Sequence, residues 1–364
     1  MAPVGGRPFL EYLLNILKSA GVSRVIFSVG YLREAVIGWV EEHDFPFECT
    51  FAVEEEPLGT GGGIMNALAK AREDDVLVLN GDTFFNADLR RFMAEHIRGG
   101  ATVSLALKPM TDFDRYGKVS VGADGKVLEF AEKRPCRKGL INGGIYALKR
   151  QSDIFRNLPK KFSFEEELLK PLSAAEMVKG YSFDSYFIDI GIPADYSRAQ
   201  KELPEVERIM KVAMADFAGF DTLLLDRDGV INRLRPNDYV KSWSEFEFMP
   251  GVLDALRIFA GKFIHIFIVT NQRGVGKGLM TEADLENIHE KMLARIAEAG
   301  SRIDRIYCCT AVSEEDPMRK PNPGMFHKII EDCPDVRPES TVMIGDSDSD
   351  MQFAANCGIR GIKI

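Results

Sequence analysis

Leu223-Leu224-Leu225-Asp226-Arg227-Asp228-Gly229-Val230-Ile231-Asn232 carries an apolar run of strand length straight into two carboxylates and a glycine. A short apolar run bounded by turn residues reads as a buried strand. Two further runs end in the same chemical vocabulary. Residues 266–269 lead into Thr270-Asn271-Gln272, and residues 342–344 lead into Gly345-Asp346, with Asp348 and Asp350 just beyond. In a parallel sheet the carboxyl ends of all strands share one edge, where ligands of open α/β folds bind. Acidic groups gathered there repel one another unless a hard cation with oxygen ligands neutralises them, which points to Mg²⁺ and a phosphate substrate. One carboxylate then attacks phosphorus while a second, two residues on, moves protons. Gly229 permits the sharp turn that aims Asp226 and Asp228 at one point. Lys320, in Arg319-Lys320-Pro321, supplies the cation needed to hold a phosphoryl group. An Asp pair after one strand reads equally as a solvated turn; the full set decides otherwise.

The same alternation of strand-length runs with helical periodicity fills the whole chain and predicts an α/β fold with largely parallel sheets. In the first half, strands are expected at 25–29, 76–79, 102–107, 118–121, 145–148 and 186–190. Helices are expected at 9–19, 32–41, 65–71 and 89–97. A helical stretch over 194–215, expected to break at Pro204, leads to a second series. Its strands are 222–225, 264–269, 303–307 and 341–344, and its helices 252–260, 282–299 and 325–331. Two doubly wound α/β domains are expected, at 1–204 and 220–364, with 205–219 as linker. At roughly 150 residues per domain, the length of 364 fits two.

Composition excludes several classes. A net charge of −9 argues against a general nucleic-acid binder. No window approaches the apolar length of a membrane span, and Met1-Ala2-Pro3-Val4 lacks the basic start of a secretory signal. Six cysteines in so long a chain are expected as free thiols in a reducing cytoplasm.

The first half has its own cluster. Residues 76–79 end in Asn80-Gly81-Asp82, and 186–188 end in Asp189, followed by Gly191. Two carboxylates from two strand ends can hold Mg²⁺ against a nucleotide's phosphates. Between them lie Glu56-Pro57-Leu58-Gly59-Thr60-Gly61-Gly62, Glu132-Lys133 and Asn142-Gly143-Gly144, whose glycines let backbone N–H groups approach a ligand. Glu54–Glu56 alone reads as a solvated charge run. In the second half, Gly274-Val275-Gly276-Lys277-Gly278 is not a Walker A loop, because glycine follows the lysine where Ser or Thr is required.

LLLDRDGVIN, IVTNQ, RKPNPGM and IGDSDSD together resemble the four ordered motifs of the haloacid dehalogenase superfamily. The resemblance implies Asp226 as nucleophile, Asp228 as general acid and base, and Thr270, Asn271 and Lys320 as phosphate-binding residues. It also implies Asp226, Asp228 and Asp346 around Mg²⁺, with Asp350 orienting Lys320 or a metal-bound water. Few residues separate Asp228 from Thr270, so no large cap is expected there. DRDGVIN, TNQRGVGKG and RKPNPGM resemble the D-glycero-D-manno-heptose 1,7-bisphosphate phosphatases, with histidinol-phosphate phosphatases as the alternative. That likeness makes Arg319 and Lys277 candidates for contacting the sugar or its second phosphate, although Lys277 also reads as a solvated loop lysine. Many members carry a Cys/His zinc loop before RKP. Here only Cys308-Cys309 precedes it, so no structural zinc is expected, and both cysteines are expected as packing residues.

EEEPLGTGGG, LNGDTFF, FAEKRP, INGGIYAL and FIDIGIPADY resemble, in order, the sugar-1-phosphate nucleotidyltransferases, in particular the D-glycero-α-D-manno-heptose 1-phosphate guanylyltransferases. The resemblance implies metal binding by Asp82 and Asp189, a nucleotide pocket lined by Gly59 and Thr60, and sugar contacts from Glu132, Lys133, Asn142 and Gly143. That family opens with a strand, a GxGTR loop and a Pro-Lys-Pro segment, and MAPVGGRPFLEYLL resembles the stretch just after them. The expectation is therefore phosphatase activity with negligible transfer. Taken together, the resemblances imply a bifunctional Mg²⁺-dependent enzyme acting on sugar phosphates and GTP. A non-enzymatic alternative makes the first half a sugar-nucleotide sensor or a platform for homo-oligomers.

Overall fold

The computed structural model describes residues 1–364 and divides into two compact units, Met1–Lys201 and Glu202–Ile364. The first unit contains the strands β1 (Pro3–Val4), β2 (Arg7–Pro8), β3 (Arg24–Val29), β4 (Glu48–Val53), β5 (Asp75–Leu79) and β6 (Thr83–Phe85). They continue with β7 (Val103–Phe113), β8 (Gly117–Val121), β9 (Val127–Lys133), β10 (Cys136–Lys149), β11 (Val178–Ser182) and β12 (Phe187–Asp189). Its helices are α1 (Phe9–Ala20), α2 (Arg33–Glu41), α3 (Gly59–Leu68), α4 (Leu89–Gly99) and α5 (Lys170–Ala174), and α6 (Pro193–Ala213) contains the division between the units.

The main sheet of this unit runs β11-β7-β10-β8-β9, with β5 also on β10. Only β11–β7 is parallel within it. The expectation of a largely parallel sheet is thus corrected here: the long strand β10 runs antiparallel to β5, β7 and β8, and only β8 and β9 form a hairpin of consecutive neighbours. β3 and β4 form a separate parallel pair. Between β3 and β5 lies a cavity of about 930 Å³, lined by Arg24–Val29, Asp75–Leu79, Leu13, Leu17, Ile64 and Met93.

The second unit follows the expected plan. β13 (Thr222–Leu225), β14 (His265–Asn271), β15 (Arg305–Cys309), β16 (Thr341–Gly345) and β17 (Arg360–Lys363) form a sheet in the order β15-β14-β13-β16-β17, parallel throughout. Its helices are α7 (Val252–Ala260), α8 (Arg273–Gly276), α9 (Glu282–Glu298), α10 (Gly324–Asp332) and α11 (Asp348–Cys357). β13 is buried at all four positions, as its unbroken Thr-Leu-Leu-Leu run requires of a central parallel strand. Because β14 lies on one side of β13 and β16 on the other, the sheet has a switch point at the end of β13, where a crevice opens for ligand. Between β13 and β14 there is only a loop, one 3₁₀ turn and α7.

Residues 205–219, expected as a linker, are instead the second half of α6 and the turn after it. Ile209, Ala213 and Phe217 are buried in one cluster with Leu223, Val252 and Phe259. Pro204 does not end the helix, which continues past it; buried Leu203 and Val206 on either side hold that turn in place. No helix is long and apolar enough to cross a membrane.

Candidate active sites

β13 delivers Asp226 to the carboxyl edge, where it is buried. β14 delivers Thr270 to the same edge, and Lys320 arrives on the loop before α10. The Lys320 ammonium donates to Asp226 Oδ1 at 2.8 Å, to Asp350 Oδ1 at 2.6 Å and to the Val269 carbonyl at 2.7 Å. All three of its N–H bonds are therefore directed. Asn271 fixes the Lys320 backbone from both sides: its Oδ1 accepts from Lys320 N and its Nδ2 donates to Lys320 O, each at 3.0 Å. Asn271 thus grips the lysine loop through its side-chain amide.

Asp350 is held by the start of α11. Its Oδ2 accepts from Ser347 N at 3.1 Å and Ser347 Oγ at 2.7 Å, the reciprocal half of a capping box. Asp346 sits half-buried at the end of β16. The carboxylate oxygens of Asp226, Asp346 and Asp350 lie within 4.8 Å of one another. With Asp350 taken by Lys320 and Ser347, Asp226 and Asp346 are the pair positioned to hold a hard cation, and an all-oxygen donor set suits Mg²⁺. Gly229 makes this packing possible. Its φ is +88°, and a Cβ there would lie 2.1 Å from Asp346 Oδ2.

The Asp228 side chain, expected among the metal-site residues, lies outside that cluster. Arg227, the residue between the two acids, captures it. Arg227 Nε reaches Asp228 Oδ2 at 3.2 Å and Nη2 reaches Oδ1 at 3.1 Å, while Asn232 donates at 2.9 Å and Gln272 at 2.8 Å. Burial alone would raise the Asp228 carboxyl. Arg227's charge together with these hydrogen bonds outweighs burial and leaves it below the ordinary range. Asp226 goes the opposite way, pushed up to about 7 by burial against the pull of Lys320. Lys320 stays protonated: burial pulls it down, but Asp226 and Asp350 together raise it. Thr270 Oγ1 accepts from Gln272 at 2.9 Å, which leaves the hydroxyl proton free to donate.

Two candidates for sugar contact lie differently. Arg319 is buried, with Nη1 on the Ala311 and Val312 carbonyls at 3.5 and 3.3 Å and Nη2 at 3.6 Å from exposed Glu314, so it ties its own loop together. Lys277 is exposed, its ammonium 5.4 Å from the centroid of the Tyr239 ring. Of the two cysteines expected to pack, only Cys309 is buried; Cys308 is exposed.

In the first unit, β6 and β12 pair antiparallel with Asp189 opposite Thr83, and Ile190 N donates to the Asp82 carbonyl at 2.9 Å. Asp82 and Asp189 are therefore neighbours at one end of a two-stranded ribbon. Asp189 accepts from Gly191 N at 2.7 Å and Tyr116 Oη at 3.3 Å, and Arg115 stands 3.8 Å away. Burial, then the Asp189 charge, pushes the Tyr116 phenol up to about 12. The Asn142–Gly144 stretch is a bulge in β10. A Cβ at Gly143 would meet Phe85 at 2.4 Å, so the glycine lets β10 lie against β6, and Gly144 O accepts from Asn80 N at 2.8 Å, beside Asp82. Glu132 and Lys133 end β9, exposed, with Lys133 opposite Gly117 and so next to Tyr116.

Residues 59–63 form the start of α3. Gly61 N donates to Phe162 O at 3.0 Å, and Thr60 Oγ1 accepts from Phe164 N at 3.0 Å. Cβ atoms at Gly59, Gly61 and Gly62 would lie within 2.6 Å of Phe162 or Lys160. These glycines serve close packing against residues 160–164, while Gly59 and Thr60 keep an exposed face.

Two α/β units, each gathering carboxylates at strand ends, define a chain with two phosphoryl-group centres. The chain belongs to the nucleotidyl transferase family, which matches residues 1–206, and to the haloacid dehalogenase-like hydrolase family, which matches residues 164–358. Over 203 residues it is 42% identical to D-glycero-alpha-D-manno-heptose 1-phosphate guanylyltransferase of Aneurinibacillus thermoaerophilus, covering 56% of this chain and 88% of that protein. Over 135 residues it is 41% identical to D-glycero-alpha-D-manno-heptose-1,7-bisphosphate 7-phosphatase of Mycobacterium bovis, covering 37% of this chain and 71% of that protein. The crystal structure of HddC from Yersinia pseudotuberculosis complexed with GMP-PN aligns with a TM-score of 0.51 at 33% identity, covering 56% of this chain and 88% of that one. A further relative matching the second half, from Campylobacter jejuni, is likewise named a D-glycero-alpha-D-manno-heptose-1,7-bisphosphate 7-phosphatase, at 37% identity over 137 residues.

Proposed function

We propose that the second unit removes the 7-phosphate of D-glycero-D-manno-heptose 1,7-bisphosphate and that the first unit couples the resulting heptose 1-phosphate to GTP. The observation that carries the phosphatase reading is Lys320, held at 2.8 Å from Asp226 and 2.6 Å from Asp350 beside Asp346. An Asp226 oxygen attacks phosphorus and forms an acyl phosphate, while the departing sugar oxygen takes a proton from the protonated form of Asp228, which is the minor form because Arg227 holds that carboxyl below the ordinary range. Water then attacks the acyl phosphate, giving its proton to Asp228, and inorganic phosphate leaves. Lys320 and the Thr270 hydroxyl stabilise charge on the phosphoryl oxygens. Mg²⁺, when held by Asp226 and Asp346, supplies further charge neutralisation. In the first unit, Asp82 and Asp189 would hold Mg²⁺ for the nucleotide, with Asn142, Gly143, Glu132 and Lys133 around the sugar. The activities are consecutive in chemistry, since the product of hydrolysis is the acceptor for transfer.

Phosphate release from a panel of sugar bisphosphates, sugar monophosphates and histidinol phosphate tests the first activity. Pyrophosphate release from GTP with heptose 1-phosphate tests the second. Preference for histidinol phosphate, or release from neither bisphosphate nor monophosphate, would overturn the phosphatase reading.

A further inference from the structure

Asp228 is held by groups that the catalytic steps above do not use. Its Oδ1 accepts from Arg227 Nη2 at 3.1 Å and Asn232 Nδ2 at 2.9 Å, and its Oδ2 from Arg227 Nε at 3.2 Å and Gln272 Nε2 at 2.8 Å. Four donors on two oxygens fix the carboxyl in both position and tilt. Arg227 is the largest fully buried side chain of the protein, at 0% exposure. A guanidinium cannot accept a hydrogen bond, so every N–H it carries into the interior needs an acceptor. Asp228 takes two. Arg227 Nη1 lies 3.2 Å from His289 Nε2, on α9. Because the guanidinium is always the donor, Nε2 must be the unprotonated nitrogen. Burial, helped by Arg227's charge, holds the imidazole down at about 4, so it remains neutral and able to accept.

We propose that His289 is a positioning residue of the phosphatase, aiming the Arg227 guanidinium at Asp228 and so fixing where the proton-transferring carboxyl sits. α9 gives it a firm base. Leu285, Ile288, Met292 and Ile296 bury one face of the helix, and a Thr281/Asp284 capping box sets its start. His289 follows Ile288 on the flank of that buried stripe. The chain path from Arg227 to His289 crosses the whole of α7 and β14, so the contact exists only in the folded unit.

This inference rests on the reading of Asp228 as the proton-transferring group, and its test separates the two. Leaving-group chemistry is the readout. A sugar alkoxide needs a proton as it departs, whereas 4-nitrophenolate does not, so only the first depends on a well-placed Asp228. With enzyme in excess, single-turnover cleavage of a sugar bisphosphate and of 4-nitrophenyl phosphate would be followed in His289→Leu, His289→Gln and Asp228→Asn. Leucine removes the acceptor, and glutamine restores one through its side-chain oxygen. His289→Leu should slow sugar phosphate cleavage by about tenfold or more while nitrophenolate release stays within about twofold of wild type. His289→Gln should recover most of the difference. Equal losses on both substrates, failure of glutamine to recover activity, or no loss at all would overturn the role of His289. If Asp228→Asn itself fails to discriminate between the substrates, the assignment of Asp228 falls instead. Circular dichroism of each variant, run in parallel, identifies loss of fold, which lowers both rates and counts with the equal-loss result.

Discussion

Asp226 and Asp228 are two residues apart on one strand end, yet their surroundings drive them in opposite directions. Asp226 is lifted by burial, with Lys320 opposing; Asp228 is held down by the charge of Arg227 and by hydrogen bonds from Asn232, Arg227 and Gln272 that together overcome burial. The intervening Arg227 favours the Asp228 carboxylate, the form that takes the water's proton in the proposed second step, and leaves its protonated form the minor one. Asp226→Asn keeps the shape and removes the attacking charge, so phosphatase turnover should fall by about 10³ or more, with thermal stability nearly unchanged. Retention of a tenth of wild-type turnover would contradict the assignment. Gly229→Ala should also abolish most activity, because its Cβ would meet Asp346 Oδ2 at 2.1 Å in a backbone held at φ +88°. The matching measurement is kcat alongside a melting curve, and an active, unshifted variant would show that the turn can relax. Much of this site was legible in the chain, because Asp226, Thr270 and Asp346 each terminate an apolar run. Arg227 and His289 were not. An arginine between two acids reads as a counter-charge, and a lone histidine on an amphipathic helix carries no signal until the fold brings α9 beside β13.

At the scale of elements, the strongly apolar segments were read closely and the polar ones were missed. β13, β14 and β16 declare themselves through unbroken aliphatic runs. β9, with the sequence Val-Leu-Glu-Phe-Ala-Glu-Lys, and β17, Arg-Gly-Ile-Lys, are exposed enough that their charges hide the strand pattern. α3 was misplaced for another reason: Gly59, Gly61, Gly62 and Gly63 weaken intrinsic helix propensity, and only the contact with residues 160–164 reveals why they are helical. The most instructive element is α6. Charge and Pro204 disguise its second half as a linker, while Ile209 and Ala213 are 5% and 0% exposed in the phosphatase core. Ile209→Asp should therefore destabilise the second unit by about 2–4 kcal/mol, the cost of losing a buried aliphatic and desolvating a charge. The check is loss of phosphatase activity on mild heating. A melting temperature lowered by less than about 2 °C would mean that the helix end is not part of that core.

Taken whole, the molecule joins a nucleotidyl transferase unit and a haloacid dehalogenase-like hydrolase unit that differ in architecture. Strong chelation should abolish phosphate release and Mg²⁺ should restore it. Elemental analysis should find no stoichiometric zinc, since Cys309 is buried with its thiol directed at Asp316 and Cys308 points outward; one zinc per chain would refute that reading. The all-parallel sheet of the second unit matched the pattern in the sequence, and the mixed sheet of the first did not. Alternating apolar runs do not report strand direction.

The gap between β3 and β5 makes a last, different kind of claim, about how fast individual amide protons trade with water. At the two ends of the β3–β4 pair, Glu48 N donates to Ser23 O at 3.0 Å and Glu54 N to Val29 O at 2.8 Å, so the odd-numbered residues of β3 face β4. In β5, Asn80 N donates to Gly144 O at 2.8 Å and Arg150 N to Asp74 O at 2.7 Å, so the even-numbered residues face β10. Since the N–H and C=O of a strand residue point the same way, Ile26, Ser28, Leu77 and Leu79 present theirs to the cavity. Deuterium uptake resolved by NMR should therefore alternate residue by residue along β3 and β5, with Val25, Phe27, Val76 and Val78 slow and their neighbours fast. Leu223, Leu224 and Leu225 of β13, flanked by β14 and β16, should all be slow. Uniform protection along β3 and β5 would mean that their inner edges find partners in solution.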